Sequence, residues 1–226
     1  MGILEENINR IVNTYRPFYY FDTAVKFGFK PRFTLGSDGN LELIPNPMPH
    51  YSDRSDALAA LEVAKVHDFW FARSESRIKM SFPFSITTLD LLLRVLHRKG
   101  IVEHPFWEAR FPGGNPLAEL DTSLWHMPGP SSIMEKIIDR FYRLGQDFEF
   151  YPVVLFFPRT MEEPSYLDFV SGLRAHYTDK DLTVIDISEA TFDPSRFRIS
   201  PETGHASAYG NRIIADHVLS YLVNIR

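Results

Sequence analysis

The amino-acid sequence predicts an α/β fold built on a parallel sheet. Two apolar runs carry that prediction. Val153–Phe157 is uninterrupted, as in a strand covered on both faces, and Leu182–Ile187 reads as a second strand. Between them Phe169, Val170 and Leu173 recur at helical spacing behind Ser165, a residue type that caps helices. Strand, helix, strand is the unit that makes a parallel sheet with a right-handed crossover. The third observation is the end of the chain, where a histidine-bearing loop leads into a helix beginning near Ala208, with Ile214, Val218, Tyr221 and Leu222 along one face.

The earlier elements follow in order. Asn7 to Tyr20 mixes polar and aromatic residues, and Pro17 disfavours helix at Arg16, so a short helix or turn followed by loop is expected. Arg32–Leu35 and Leu41–Ile44 flank Ser37-Asp38-Gly39-Asn40, the turn chemistry of a β-hairpin. That setting makes Ser37 a turn residue rather than a nucleophile. From Asp53 to Lys99 the pattern predicts two helices. The first has Leu58, Leu61 and Ala64 on one face, and the second is capped by Thr87 with Leu89, Leu92, Leu93 and Leu96 recurring before Gly100. Glu103 to Pro130 is rich in proline, glycine and bulky aromatics, Trp107 and Trp125 among them, and reads as an irregular, partly packed loop able to wall a crevice. Ile133, Ile137, Phe141 and Leu144 then share a helix face.

Bulk properties exclude several classes. A chain of 226 residues that is 44% apolar can bury one substantial core, so a single domain over 1–226 is expected, with 50–130 as a helical and loop insertion or cap. The net charge of -5 is spread along the chain without a basic run, which argues against nucleic acid as a partner. No apolar stretch reaches the roughly 20 residues of a membrane-spanning helix, and MGILEENINR carries acids early and does not read as a signal peptide. The absence of cysteine removes disulfides, thiolate metal sites and thiol nucleophiles, and fits cytoplasm and periplasm equally. The histidines other than His205 lack the i, i+4 or His-Glu-x-x-His spacing of a metal site, so neither a metal nor another cofactor is expected.

The segment with most chemistry is Ser200–Asn211. A histidine in a loop after the last strand and before a helix stands at the carboxyl edge of a parallel sheet, where open α/β folds bind ligands. Glu202, three residues before His205, can fold back onto the ring and fix its tautomer, leaving the other nitrogen to take a proton from a hydroxyl nucleophile. The plainer alternatives are a loop histidine capping the terminal helix and a solvated loop carboxylate. Tyr15, Arg16 and Phe18 read as packing and surface residues.

Ser200–Asn211 resembles the final conserved block of the SGNH (GDSL-like) hydrolases, an Asp-x-x-His loop, a small or polar pair, Gly, and a helix with an Ile-Ala or Val-Ala step. The corresponding residues are Glu202, His205, Gly210, Asn211, Ile214 and Ala215, with Glu in place of the usual Asp. Val153–Pro158 looks like the strand before the last crossover of that family, and Leu182–Ile187 like the strand preceding its catalytic loop. The first residues look like the region around the family's third block in a subset of bacterial members. Gly2, Glu6, Asn7, Ile8 and Arg10 match there, followed by Asn13–Phe18 and Lys30–Phe33.

The resemblance implies a three-layer α/β/α, flavodoxin-like parallel sheet of order 2-1-3-4-5, of which this chain supplies the last strands and lacks the N-terminal ones. It implies a serine ester hydrolase acting on acyl or acetyl esters, of glycans among others, as part of a longer parent. His205 would be the base, Glu202 its orienting acid, and Asn7 a side-chain oxyanion donor. The Gly-Asp-Ser block and the glycine donor block have no counterpart, and no G-x-S-x-G elbow occurs. Two alternatives therefore stand beside the hydrolase: a non-catalytic remnant or binding domain, and an O-acetyltransferase that excludes water from the second step. A sheet lacking its first strands would expose an apolar edge, from which edge-mediated homodimerisation is expected.

Overall fold

The computed structural model describes residues 1–5, 7–15, 29–50, 54–72, 89, 92, 96, 124–158, 164–198 and 205–223. It divides into two compact units, one of Met1–Ile8 with Asp121–Arg226 and the other of Asn9–Leu120.

The first unit is α/β. Its strands β1 (Gly2–Leu4), β4 (Val153–Phe157) and β5 (Thr183–Asp186) form a parallel sheet in the order β1-β4-β5. Gly2 lies opposite Leu155, and Val153 opposite Thr183. Successive side chains of a strand point to opposite faces. Val154 and Phe156 are fully buried, and Phe156 meets the rings of Trp125, Tyr166 and Phe169. On the other face Val153, Leu155 and Phe157 are partly buried and pack with Ile185, Ile187 and Phe197 against Ile213, Ile214, Val218 and Tyr221 of the last helix. The uninterrupted apolar run thus follows from cover on both faces, complete on one and partial on the other.

Three helices of this unit refine the sequence expectation. Helix α4 (Pro128–Asp147) starts inside the segment read as loop, because Pro128 and Pro130 sit in its first turn, where a missing amide costs nothing. Its buried stripe is Ile133, Met134 and Ile138; Ile137, Phe141 and Leu144 are only partly covered. Helix α5 (Leu167–His176) begins two residues after Ser165, which is not its cap. Helix α7 (Ala208–Leu222) starts where expected and is capped by Ser207, whose hydroxyl accepts the Gly210 amide. Strand β5 ends at Asp186, since Ile187–Glu189 turns into a 3-10 helix, and α6 (Pro194–Phe197) follows with Asp193 as its cap.

The second unit holds most of α1 (Asn7–Val12), the hairpin β2 (Arg32–Leu35) and β3 (Leu41–Ile44), α2 (Arg54–His67) and α3 (Phe69–Ala72). The hairpin has the expected strands and register, Arg32 opposite Ile44 and Leu35 opposite Leu41. Gly39 takes φ +74° in its turn, and Asp38 accepts the Asn40 amide. Tyr15 pairs with Phe29 as an isolated antiparallel bridge, with the two rings stacked at 4.6 Å. The buried stripe of α2 is Ala60 and Ala64, whereas Leu58 is 55% exposed. Leu89, Leu92 and Leu96 are helical, the first two exposed, but Thr87 and the rest of that expected helix lie outside the described residues.

Candidate functional site

The carboxyl ends of β1, β4 and β5 gather the buried polar groups of the first unit. The Glu5 amide continues the β1 ladder onto the Phe157 carbonyl at 3.0 Å, so its side chain leaves at the strand's end. That carboxylate is buried. Its Oε1 accepts both the backbone amide of Ser165, at 2.9 Å, and the Ser165 hydroxyl, at 2.6 Å. The Trp125 indole donates to the Glu5 carbonyl at 3.1 Å. At the end of β5 the buried Asp186 accepts the Tyr166 hydroxyl at 3.0 Å and the Ser188 amide at 2.9 Å through one oxygen. Burial and the neighbouring Asp186 carboxylate push the Tyr166 phenol far above its ordinary range, so it is a fixed donor. His217 of α7 places Nε2 3.1 Å from the Asp186 carbonyl. These contacts tie α7 and the residues leading into α5 to the strand ends and satisfy the charges they bury.

The histidine loop is closed at its base. Arg198 and Ala206 form an antiparallel bridge, and the Ser207 amide donates to the Phe197 carbonyl at 2.8 Å. The Ser207 hydroxyl donates to the Arg196 carbonyl at 2.5 Å while accepting from Gly210. The Arg196 guanidinium lies over the Tyr209 ring at 4.4 Å, and the Tyr209 hydroxyl accepts the Asp193 amide. A side chain on Gly210 would bring Cβ within 2.2 Å of the Phe197 carbonyl oxygen, which is why glycine stands at that point of the motif.

His205 emerges directly beside the bridge and is exposed, with no hydrogen bond or ion pair to another described residue. Glu202 lies outside the described residues. Asn7 opens α1, and its Oδ1 accepts the Leu4 amide at 2.7 Å. Trp125 is core, and Trp107, Arg16 and Phe18 lie outside the described residues. No group of three or more His, Asp or Glu able to hold a metal occurs among the described residues. No described helix is long and apolar enough to cross a membrane.

Comparison with protein-family models, with curated proteins and with solved structures found no match. The functional reading therefore rests on the residues themselves.

Sequence reasoning missed the Glu5–Ser165 and Tyr166–Asp186 contacts. A readable signal existed, an acid just after β1 and another ending β5, with Ser165-Tyr166 leading into the helix between β4 and β5. It also missed polar groups of the second unit. Asp68 is buried between α2 and α3, where one oxygen accepts the Thr14 and Tyr15 amides at 2.6 and 3.2 Å and the other the Phe71 amide at 3.1 Å. The same unit has an open, largely apolar cleft of about 490 Å³, walled by Ile44, Pro47, Met48, Val63 and the two histidines His50 and His67.

Proposed function

We propose that this chain is the base-bearing portion of an SGNH-type serine ester hydrolase, with His205 as general base, Glu202 as its orienting acid and Asn7 as an oxyanion donor. The observation that carries the reading is the loop after β5, which presents an exposed imidazole on a base fixed by the Arg198–Ala206 bridge and the Ser207 cap. The strand order β1-β4-β5 is compatible with strands 3-4-5 of the family's sheet, and helical residues on both sheet faces are compatible with its three layers. A serine hydroxyl attacks the acyl carbonyl. His205 removes the hydroxyl proton and returns it to the departing alkoxide, then repeats the cycle with water. That serine belongs to a block that these 226 residues do not contain.

The test is p-nitrophenyl acetate hydrolysis by the intact protein as it is made in its cell. Loss of a general base costs about 100-fold or more. His205→Ala is expected to show that loss with an unchanged melting curve, since His205 is exposed and holds no described residue in place. Turnover that survives the substitution overturns the reading. So does an intact protein without turnover, which would favour a non-catalytic binding domain.

A further inference from the structure

Glu5 is held from three directions. Its amide donates to the Phe157 carbonyl at 3.0 Å, its carbonyl accepts the Trp125 indole at 3.1 Å, and its carboxylate accepts the Ser165 amide at 2.9 Å and the Ser165 hydroxyl at 2.6 Å. The partners are themselves fixed. Phe157 ends β4, and Trp125 is buried against the rings of Phe156, Tyr166 and Phe169. Ser165 precedes Tyr166, which is fully buried and donates to Asp186 at the end of β5. Burying a carboxylate adds little net stability, because desolvation offsets most of what its bonds return. Its hydrogen bonds do have a direction that apolar contacts lack.

Two residues after Glu5 comes Asn7, followed at once by the fully buried Ile8. The Asn7 side chain thus departs from backbone seated on both sides. Its Oδ1 accepts the Leu4 amide at 2.7 Å, which fixes the oxygen end of the carboxamide and turns its NH2 group away from that amide.

We propose that Glu5 and Ser165 are positioning residues for Asn7, holding the turn between β1 and α1 so that the Asn7 NH2 group meets the oxyanion of the tetrahedral intermediate. This role rests on the ester-hydrolase reading and adds to it the residues that aim the donor. An oxyanion donor acts as charge develops on the acyl oxygen, and a misplacement of about 1 Å costs about 100-fold in rate. Ser165 acts on the donor through Glu5 and makes no contact with substrate.

The experiment is a double-mutant cycle in p-nitrophenyl acetate hydrolysis by the intact protein as it is made in its cell, with the melting midpoint recorded for each variant. Asn7→Asp keeps the oxygen that receives the Leu4 amide and removes the NH2 donor, so kcat is expected to fall about 100-fold. Ser165→Ala is expected to lower kcat and kcat/KM by one factor, about 10-fold, as for an interaction made only in the transition state. In the Asn7→Asp background the same substitution should cost nothing further, since no donor is left to aim; a merely structural role gives equal losses in both backgrounds. Tyr166→Phe breaks the adjoining bond to Asp186 and should lower the melting midpoint with kcat unchanged. If Ser165→Ala fails to fold, Glu5→Gln carries the same cycle, because it weakens the same bonds by removing their charge. An Asn7→Asp protein with wild-type kcat overturns the oxyanion assignment and the positioning role with it. With Asn7→Asp impaired, three results overturn the positioning role alone and leave the hydrolase reading standing: wild-type kcat in Ser165→Ala, additive losses in the double variant, or an equal loss in Tyr166→Phe.

Discussion

Asn7 gives its carbonyl oxygen to the Leu4 amide, and the direction of that amide explains why. In a parallel pair, alternate residues of a strand face the partner. Met1 and Glu5 bond toward β4, so the Leu4 amide points to the other side of β1, where no described strand pairs with it. The Asn7 side chain therefore satisfies an amide at the end of β1 that β4 does not reach. Asn7→Ala is expected to cost about 1 kcal/mol in urea denaturation. Asn7→Asp, which keeps the acceptor, should restore the midpoint. If both variants lose ester turnover while only the alanine variant loses stability, the Asn7 amide nitrogen is the oxyanion donor. An aspartate variant as unstable as the alanine one would show that the Asn7 oxygen is not what holds the Leu4 amide.

At the level of elements, α6 and α7 meet through one close approach, the Phe197 carbonyl against Gly210 and the Ser207 amide. Gly210→Ala must push backbone apart. It is expected to lower stability by about 1 to 3 kcal/mol, measured as a shift in urea midpoint, and an unshifted midpoint would mean that the helices separate freely. Glycine at 210 was readable as part of a motif, but its cause was not, because the contact joins residues that only the folded loop brings together. Elements governed by local rules were legible in the same way: the hairpin from Ser37-Asp38-Gly39-Asn40, β4 from its apolar run, and α7 from its stripe and the loop before it. Elements governed by tertiary cover were not. Ser165 has cap chemistry yet binds Glu5, distant in sequence, and α2 buries Ala60 and Ala64 because small side chains permit close packing where Leu58 stays in solvent. Of the candidate site, the place of His205 just before the last helix was legible.

Across the whole molecule these groups set a pH profile with opposing limbs. Burial lowers the Lys30 amine to about 8 and also lowers the Met1 amine. From pH 8 to about 10, the ordinary lysine value, the unfolded chain binds more protons than the folded one, so stability rises with pH. The Tyr166 and Tyr177 phenols are raised by burial, with Asp186 and Asp139 adding to it, and Tyr177 reaches about 12. Above pH 10 the unfolded chain loses phenolic protons that the fold retains, and stability falls. At the acid end Arg174 bonds Glu189 and holds its carboxyl below the usual range, so that contribution is present above the ordinary glutamate value and is lost on acidification through the folded value. The urea midpoint should therefore be higher at pH 9.5 than at pH 7, and fall again by pH 11, as expected from these shifts. Lys30→Met should reduce the rise between the first two to the part due to Met1. A wild-type midpoint that does not rise, or a Lys30→Met protein that gains as much as wild type, would show that the Lys30 ammonium is compensated in solution.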